Sequence, residues 1–158
     1  MLTLPFALKV PGVDSFAGLT ISSTSYAFHG LLRYEGSVVQ LEWAGTAAVD
    51  EVTVLDVDSR TVDLPPEALD IDVRELRRVA YRAGWWRPRL ELACHDLRTL
   101  RMVPGEEAGE LRLHVARRDR AAARAMAAAL NAAMATPSLH HTLPPQGIRF
   151  RPREEDTR

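Results

Sequence analysis

The period of the apolar positions changes once along this chain. In "YAFHGLLRYE" the even positions Tyr26, Phe28, Leu32 and Tyr34 are apolar, while His29, Arg33 and Glu35 are polar and Leu31 is out of step. A period of two marks a strand with one buried face. Gly36 and Ser37 interrupt the pattern, and "VVQLEW" resumes it with Val39, Leu41 and Trp43 against Gln40 and Glu42. Two such runs about a short glycine-containing turn predict a hairpin. Further strand-like runs are "VTVLDVDS", "RTVDLP" (broken by Pro65 and Pro66), "ELRRVAYRA", "RPRLELAC", a weak "LRTLRMV", and "ELRLHVAR". In the last, Leu111, Leu113 and Val115 alternate with Arg112 and His114.

Beyond residue 118 the period becomes helical. Asp119 is a suitable N-cap, and "RAAARAMAAALNAAM" after it is rich in alanine and free of glycine and proline. Ala123, Met126, Ala127, Leu130 and Met134 share one face, with Ala125, Ala128 and Asn131 opposite. A helix from Asp119 to Met134 is expected to pack on the sheet through Met126, Leu130 and Met134. Residues 1–25 mix Pro5, Pro11, Gly12 and Gly18 without a clean period and predict an N-terminal arm lying on the domain. Residues 26–134 form the expected domain. Residues 135–158 form a proline-rich tail, either disordered or docked through Ile148 and Phe150.

The stretch "RVAYRAGWWRPRLEL" contains the candidate site. Val79 and Tyr81 are odd positions, whereas Leu90 and Leu92 are even. If both sets face one core, the alternation must slip between them, and Gly84 and Pro88 are the residues able to make a corner. Counting back from Leu90 turns Trp86 into the core. Trp85, Arg87 and Arg89 then share the outer face, where an indole and two guanidiniums suit an anionic or aromatic partner. The competing expectation is that the N-terminal arm covers Trp85.

Composition narrows the class of function. Hydrophobic residues are 46 % of 158 and the formal net charge is -1. That is a globular chain with no global field for nucleic acid. Cys94 is the only cysteine, so no internal disulfide can form, and a buried thiol is expected. The start lacks a signal-peptide pattern and no apolar run reaches membrane-span length, which makes the cytoplasm the expected compartment. Lys9 is the only lysine among many arginines, a bias that says little about function. No catalytic motif is evident and no cofactor is expected: "VPGEEAGE" is a turn rather than a nucleotide loop, and Glu106, Glu107 and Glu110 read as solvated. His140 and His141 are too close in sequence for joint metal ligation, so no metal is expected. His95 and Asp96 lack a nucleophile placed by any motif.

"FHGLLRYEGSVVQLEW", "AGWWRPRLEL" and "GELRLHVARRDRAAARAMAAAL" resemble small bacterial proteins of the pleckstrin-homology-like family over about Tyr26 to Met134. The resemblance implies a mainly β (α+β) fold, a seven-stranded antiparallel barrel of two near-orthogonal sheets capped by a C-terminal helix. It implies a noncatalytic binding or scaffold module, not an enzyme. The expected partner is another protein or a second copy in a homodimer, the latter suggested by outward Leu31 and the alanine-rich back of the helix. The alternatives are binding of a small molecule or lipid headgroup, and more distantly an unrecognised hydrolase. The first hairpin turn, Glu35-Gly36-Ser37, has only Arg33 near it, which argues against the phosphoinositide mode of that family.

Overall fold

The computed structural model describes residues 1–136. Eight strands and one helix follow in the order β1 (Leu2–Lys9), β2 (Val13–Ala17), β3 (Thr20–Glu35), β4 (Val38–Val52), β5 (Val57–Asp72), β6 (Leu76–Arg82), β7 (Arg89–Cys94), β8 (Glu110–His114) and α1 (Arg120–Ala135). All pairs are antiparallel, in the order β5-β4-β3-β1-β8-β7-β6, with β2 pairing β3 beyond the end of β1. The sheet is open. Its path ends at β5 and β6, which do not pair with each other, so the expected seven-stranded barrel of two near-orthogonal sheets is not formed.

The expected N-terminal arm is likewise part of the sheet. β1 pairs with β3 from Leu2↔Tyr34 to Lys9↔Ala27 and buries Leu4, Phe6 and Leu8. The alternation was present in "LTLPFALK", and Pro5 obscured it. Proline is tolerated where no ladder donor is required. The hairpin at Gly36–Ser37 forms as its sequence indicates, with Gly36 at φ 62°. "VTVLDVDS" is not one strand: β4 ends at Val52, the chain turns, and β5 begins at Val57. β5 then runs through Pro65 and Pro66, expected to break it. The register passes from Gly45↔Leu64 to Trp43↔Glu67, so the two prolines bulge opposite Ala44. A bulge on an edge strand asks for neither missing N–H. "LRTLRMV" forms turns rather than a strand, with Leu100 and Val103 buried.

The core lies on one face of the sheet. Val39, Leu41, Trp43 and Ala47 alternate into it from β4, with Leu32, Ile71, Leu90, Leu92, Leu111 and Leu113 beside them. Helix α1 closes this face through Ala123, Met126, Ala127 and Leu130, all buried, with Met134 half-buried at its end. Asp119 makes no side-chain capping bond. Asn131, on the outer side, donates through Nδ2 to the carbonyl of Val79 at 3.1 Å and so ties the helix to edge strand β6. Cys94 is buried and reduced, and burial pushes its thiol up to about 11. No helix of the described residues is long and apolar enough to cross a membrane.

Strands β2 to β5 outrun the helix. Past Ala47 the core-side residues are no longer buried, and the strand ends form a wing with Phe16, Ile21, Val57 and Val62 exposed. Leu130→Ala should lower unfolding free energy by about 2–5 kcal/mol, as a fully buried leucine requires. Chemical denaturation followed by circular dichroism measures it, and an unchanged midpoint would contradict the helix packing.

Candidate functional site

The double tryptophan occupies the β6–β7 loop, residues 83–88. The two strands register as Tyr81↔Leu90 and Arg82↔Arg89, so the loop itself absorbs the parity slip. Gly84 N donates to Arg82 O at 2.9 Å. A Cβ on Gly84 would lie 2.6 Å from the Arg87 carbonyl, so only glycine lets the loop close this tightly. Arg120 from α1 donates to the carbonyl of Trp85 at 2.9 Å and fixes the loop from below.

Trp86 is not in the core. It is 74 % exposed, close to the 78 % of Trp85. The inward expectation ran the alternation of β7 back through Pro88, but the strand begins at Arg89. Pro88 is itself buried, and its carbonyl accepts from Val115 N at 2.9 Å. The Trp86 ring instead lies under the Arg117 guanidinium, 4.6 Å from its carbon, within cation–π range. Trp85 is not covered by the N-terminal residues.

Of the three predicted site residues, Arg89 is ion-paired. Arg89 Nε binds Glu91 Oε1 at 2.8 Å, and Arg82 Nε binds Glu91 Oε2 at 3.3 Å. Burial alone would raise the Glu91 pKa, but the two guanidiniums outweigh it and the net shift is downward. Arg87 lines a hollow at the seam between β1 and β8, where Arg89 stands opposite His114 in the β7–β8 register.

That seam is held by one registered pair, Ala7↔His114. A hollow opens on each side of it. One, of about 500 Å³, is lined by Trp86, Arg87, Val115 and Arg117. The other, of about 290 Å³, is lined by Pro11, Pro104, Glu107 and Arg112. Leu8, Lys9 and His114 border both, making one groove with a shared waist. Arg112 is paired with Glu107 at 3.5 Å. Among the described residues, Lys9 and Arg87 have no carboxylate within ion-pair distance. His114 Nδ1 is shut from solvent without a hydrogen-bond partner. Burial lowers the His114 pKa, and Lys9, Arg87, Arg89 and Arg112 lower it further by repulsion. Such a groove can attract an anion through Lys9 and Arg87 and hold an apolar group against Leu8, Val115 and Trp86.

The sequence reading missed Lys9, His114 and Arg117. The "LRLHVAR" alternation does place Arg112 and His114 on one face, but nothing local announces that β1 lies beside it. A further hollow of about 460 Å³, on the outer face at the proline bulge, is bordered by Leu31, Ala44, Pro66 and Glu67. Leu31, expected as an outward dimer contact, is half-buried there. Glu42 in its wall is paired with Arg33 at 3.2 Å. Among the described residues no three His, Cys, Asp or Glu side chains are grouped to hold a metal. His140, His141, Ile148 and Phe150 lie outside those residues. No family model matches the chain, and no curated protein or solved structure matches it.

Two measurements check this geometry. Trp85→Ala should change stability by no more than about 0.5 kcal/mol, and Trp86→Ala by about 0.5–1 kcal/mol through its lost cation stack. Acrylamide should quench both indoles while sparing Trp43. A large fall in melting temperature for either variant would mean a buried role. Glu91→Gln should destabilise the fold at neutral pH. Because the folded pKa is lowered, the carboxylate contributes above the unfolded value and loses that contribution as pH falls through the folded one. The gap between variant and parent should therefore close in acid, and a pH-independent gap would contradict the assignment.

Proposed function

We propose that this protein is a noncatalytic binding module that takes an acidic, partly apolar segment of another protein along the β1–β8 seam. The observation that carries the reading is the pair of hollows joined at Leu8, Lys9 and His114, with the cations Lys9 and Arg87 unneutralised. Two adjoining open hollows, rather than a single enclosed cavity, favour an extended segment over a compact ligand. The one-pair ladder leaves neighbouring backbone groups of β1 and β8 outside their mutual pairing, and an extended peptide can use such groups as a strand does. Trp86 and Val115 supply an apolar end, where an aromatic or aliphatic side chain of the partner seats. The cytoplasm is the compartment this reading assumes.

A fluorescent peptide of alternating Asp or Glu with Phe and Leu is the probe. It should bind with an affinity that falls as salt rises, since charge steers the contact. Lys9→Glu together with Arg87→Glu should weaken it at least tenfold without lowering the melting temperature. The same peptide with Lys in place of the acids should not bind. Equal affinity for the two peptides, or no effect of the double variant, would refute the reading.

A further inference from the structure

The two halves of the described chain are opposite in charge. Residues 1–72 carry eleven acidic and three basic side chains, whereas residues 73–136 carry seven acidic and thirteen basic. Each half also has an exposed apolar surface. In the acidic half, register sets Phe16, Ile21, Val52 and Val57 in one cross-strand row of the wing. All four are exposed, as are Leu19, Val54 and Leu55 in the turns beyond them. The row has the parity opposite to Leu32 and Leu41, so it lies on the sheet face away from the core. Asp14, Asp50 and Asp63 share that face, while Arg60, the one basic residue of the wing, has the other parity. In the basic half, the β6–β7 loop presents Trp85, and three arginines at the start of α1 engage the aromatic residues around it. Arg117 stacks on Trp86, Arg120 holds the Trp85 carbonyl, and the Arg124 guanidinium lies 5.4 Å over the Tyr81 ring. Among the described residues, none of these three has a carboxylate within ion-pair distance.

Register keeps the two surfaces apart within one molecule. Arg89, His114, Ala7, His29 and Ala44 form one row across the sheet. From that row β3 runs one way to Ile21, about 26 Å along the strand. The double-tryptophan loop lies on the other side of it, before Arg89 and after Arg82. Between two molecules the surfaces are complementary, each with an apolar centre and the charge that the other lacks. We propose that the outer face of the wing of one copy docks on the Trp85 loop of a second copy. Trp85 lies against the Phe16–Ile21–Val52–Val57 row, and Arg117 and Arg124 face Asp14 and Asp50. Like charge disfavours wing against wing and loop against loop. The contact joins unlike surfaces, so a pair keeps one free wing and one free loop, and addition continues until a ring closes.

Sedimentation velocity on the full chain tests this. The parent should gain mass as concentration rises, and added salt should reduce the gain, because charge contributes to the contact. One variant, Asp14→Lys with Asp50→Lys, spoils the wing. Another, Trp85→Ser with Arg124→Ser, spoils the loop. Each should be monomeric alone. Mixed in equal amounts they should form a dimer and nothing larger, since one intact wing and one intact loop remain. Phe16→Ser with Val57→Ser is a second wing variant, without charge reversal, and should act as the first does. Circular dichroism of every variant should match the parent. Lys9→Glu with Arg87→Glu leaves both surfaces in place and should still associate. A parent that stays monomeric at every concentration, a folded wing or loop variant that associates alone, or a mixture that stays monomeric overturns the proposal. Loss of association in the Lys9→Glu, Arg87→Glu variant also overturns it, and would assign the contact to the seam.

Discussion

The structure depends on one strand lying between two halves that are far apart in sequence. β1 takes a full ladder from β3 and a single pair from β8, and it buries Leu4, Phe6 and Leu8 beneath α1. Without it the β2–β5 half and the β6–β8 half would share no hydrogen bonds within the sheet. The imbalance of the two ladders also has a chemical result. Where the β1–β8 pairing stops, the surface opens, and the groove with Lys9, Arg87 and His114 occupies that opening. The core and the candidate site are two consequences of the same junction.

Most local structure was legible because it depends on neighbours in the chain. The β3–β4 hairpin follows from alternation interrupted by Gly36, and α1 follows from the spacing of Met126, Leu130 and Met134. The errors share a physical cause. Pro5 hid the period of β1 and Pro65-Pro66 were read as breakers of β5, yet each lies where the ladder asks for no N–H. Trp86 was turned inward by extending a strand period through Pro88, which belongs to a loop. Closure into a barrel was inferred from strand number and from a resemblance, but closure requires β5 and β6 to meet, and no short window of sequence encodes that.

The site was half legible for the same reason. Arg87 was singled out as a residue of an outer strand face, and the loop presents it instead at the groove. Arg89 is neutralised by Glu91, on the same strand two residues away, and the burial of Glu91 was not anticipated. Lys9 and His114 meet only through the β1–β8 pair, across more than a hundred residues of intervening chain. A local reading can find the charge on a loop, but it cannot find the groove that two distant strands create.

The proline bulge of β5 has a bearing on how copies of this molecule meet. An open sheet exposes a row of backbone donors and acceptors along each rim, and such rims tend to zip together. On the β6 side Asn131 already engages the Val79 carbonyl. On the β5 side two adjacent residues have no N–H to offer, at the point where the strand kinks away from β4. A neighbouring strand that began to pair near Val57 would lose its register before reaching Asp72. The rim is thereby divided into two shorter lengths, which limits the continuous ladder that a neighbouring copy could add.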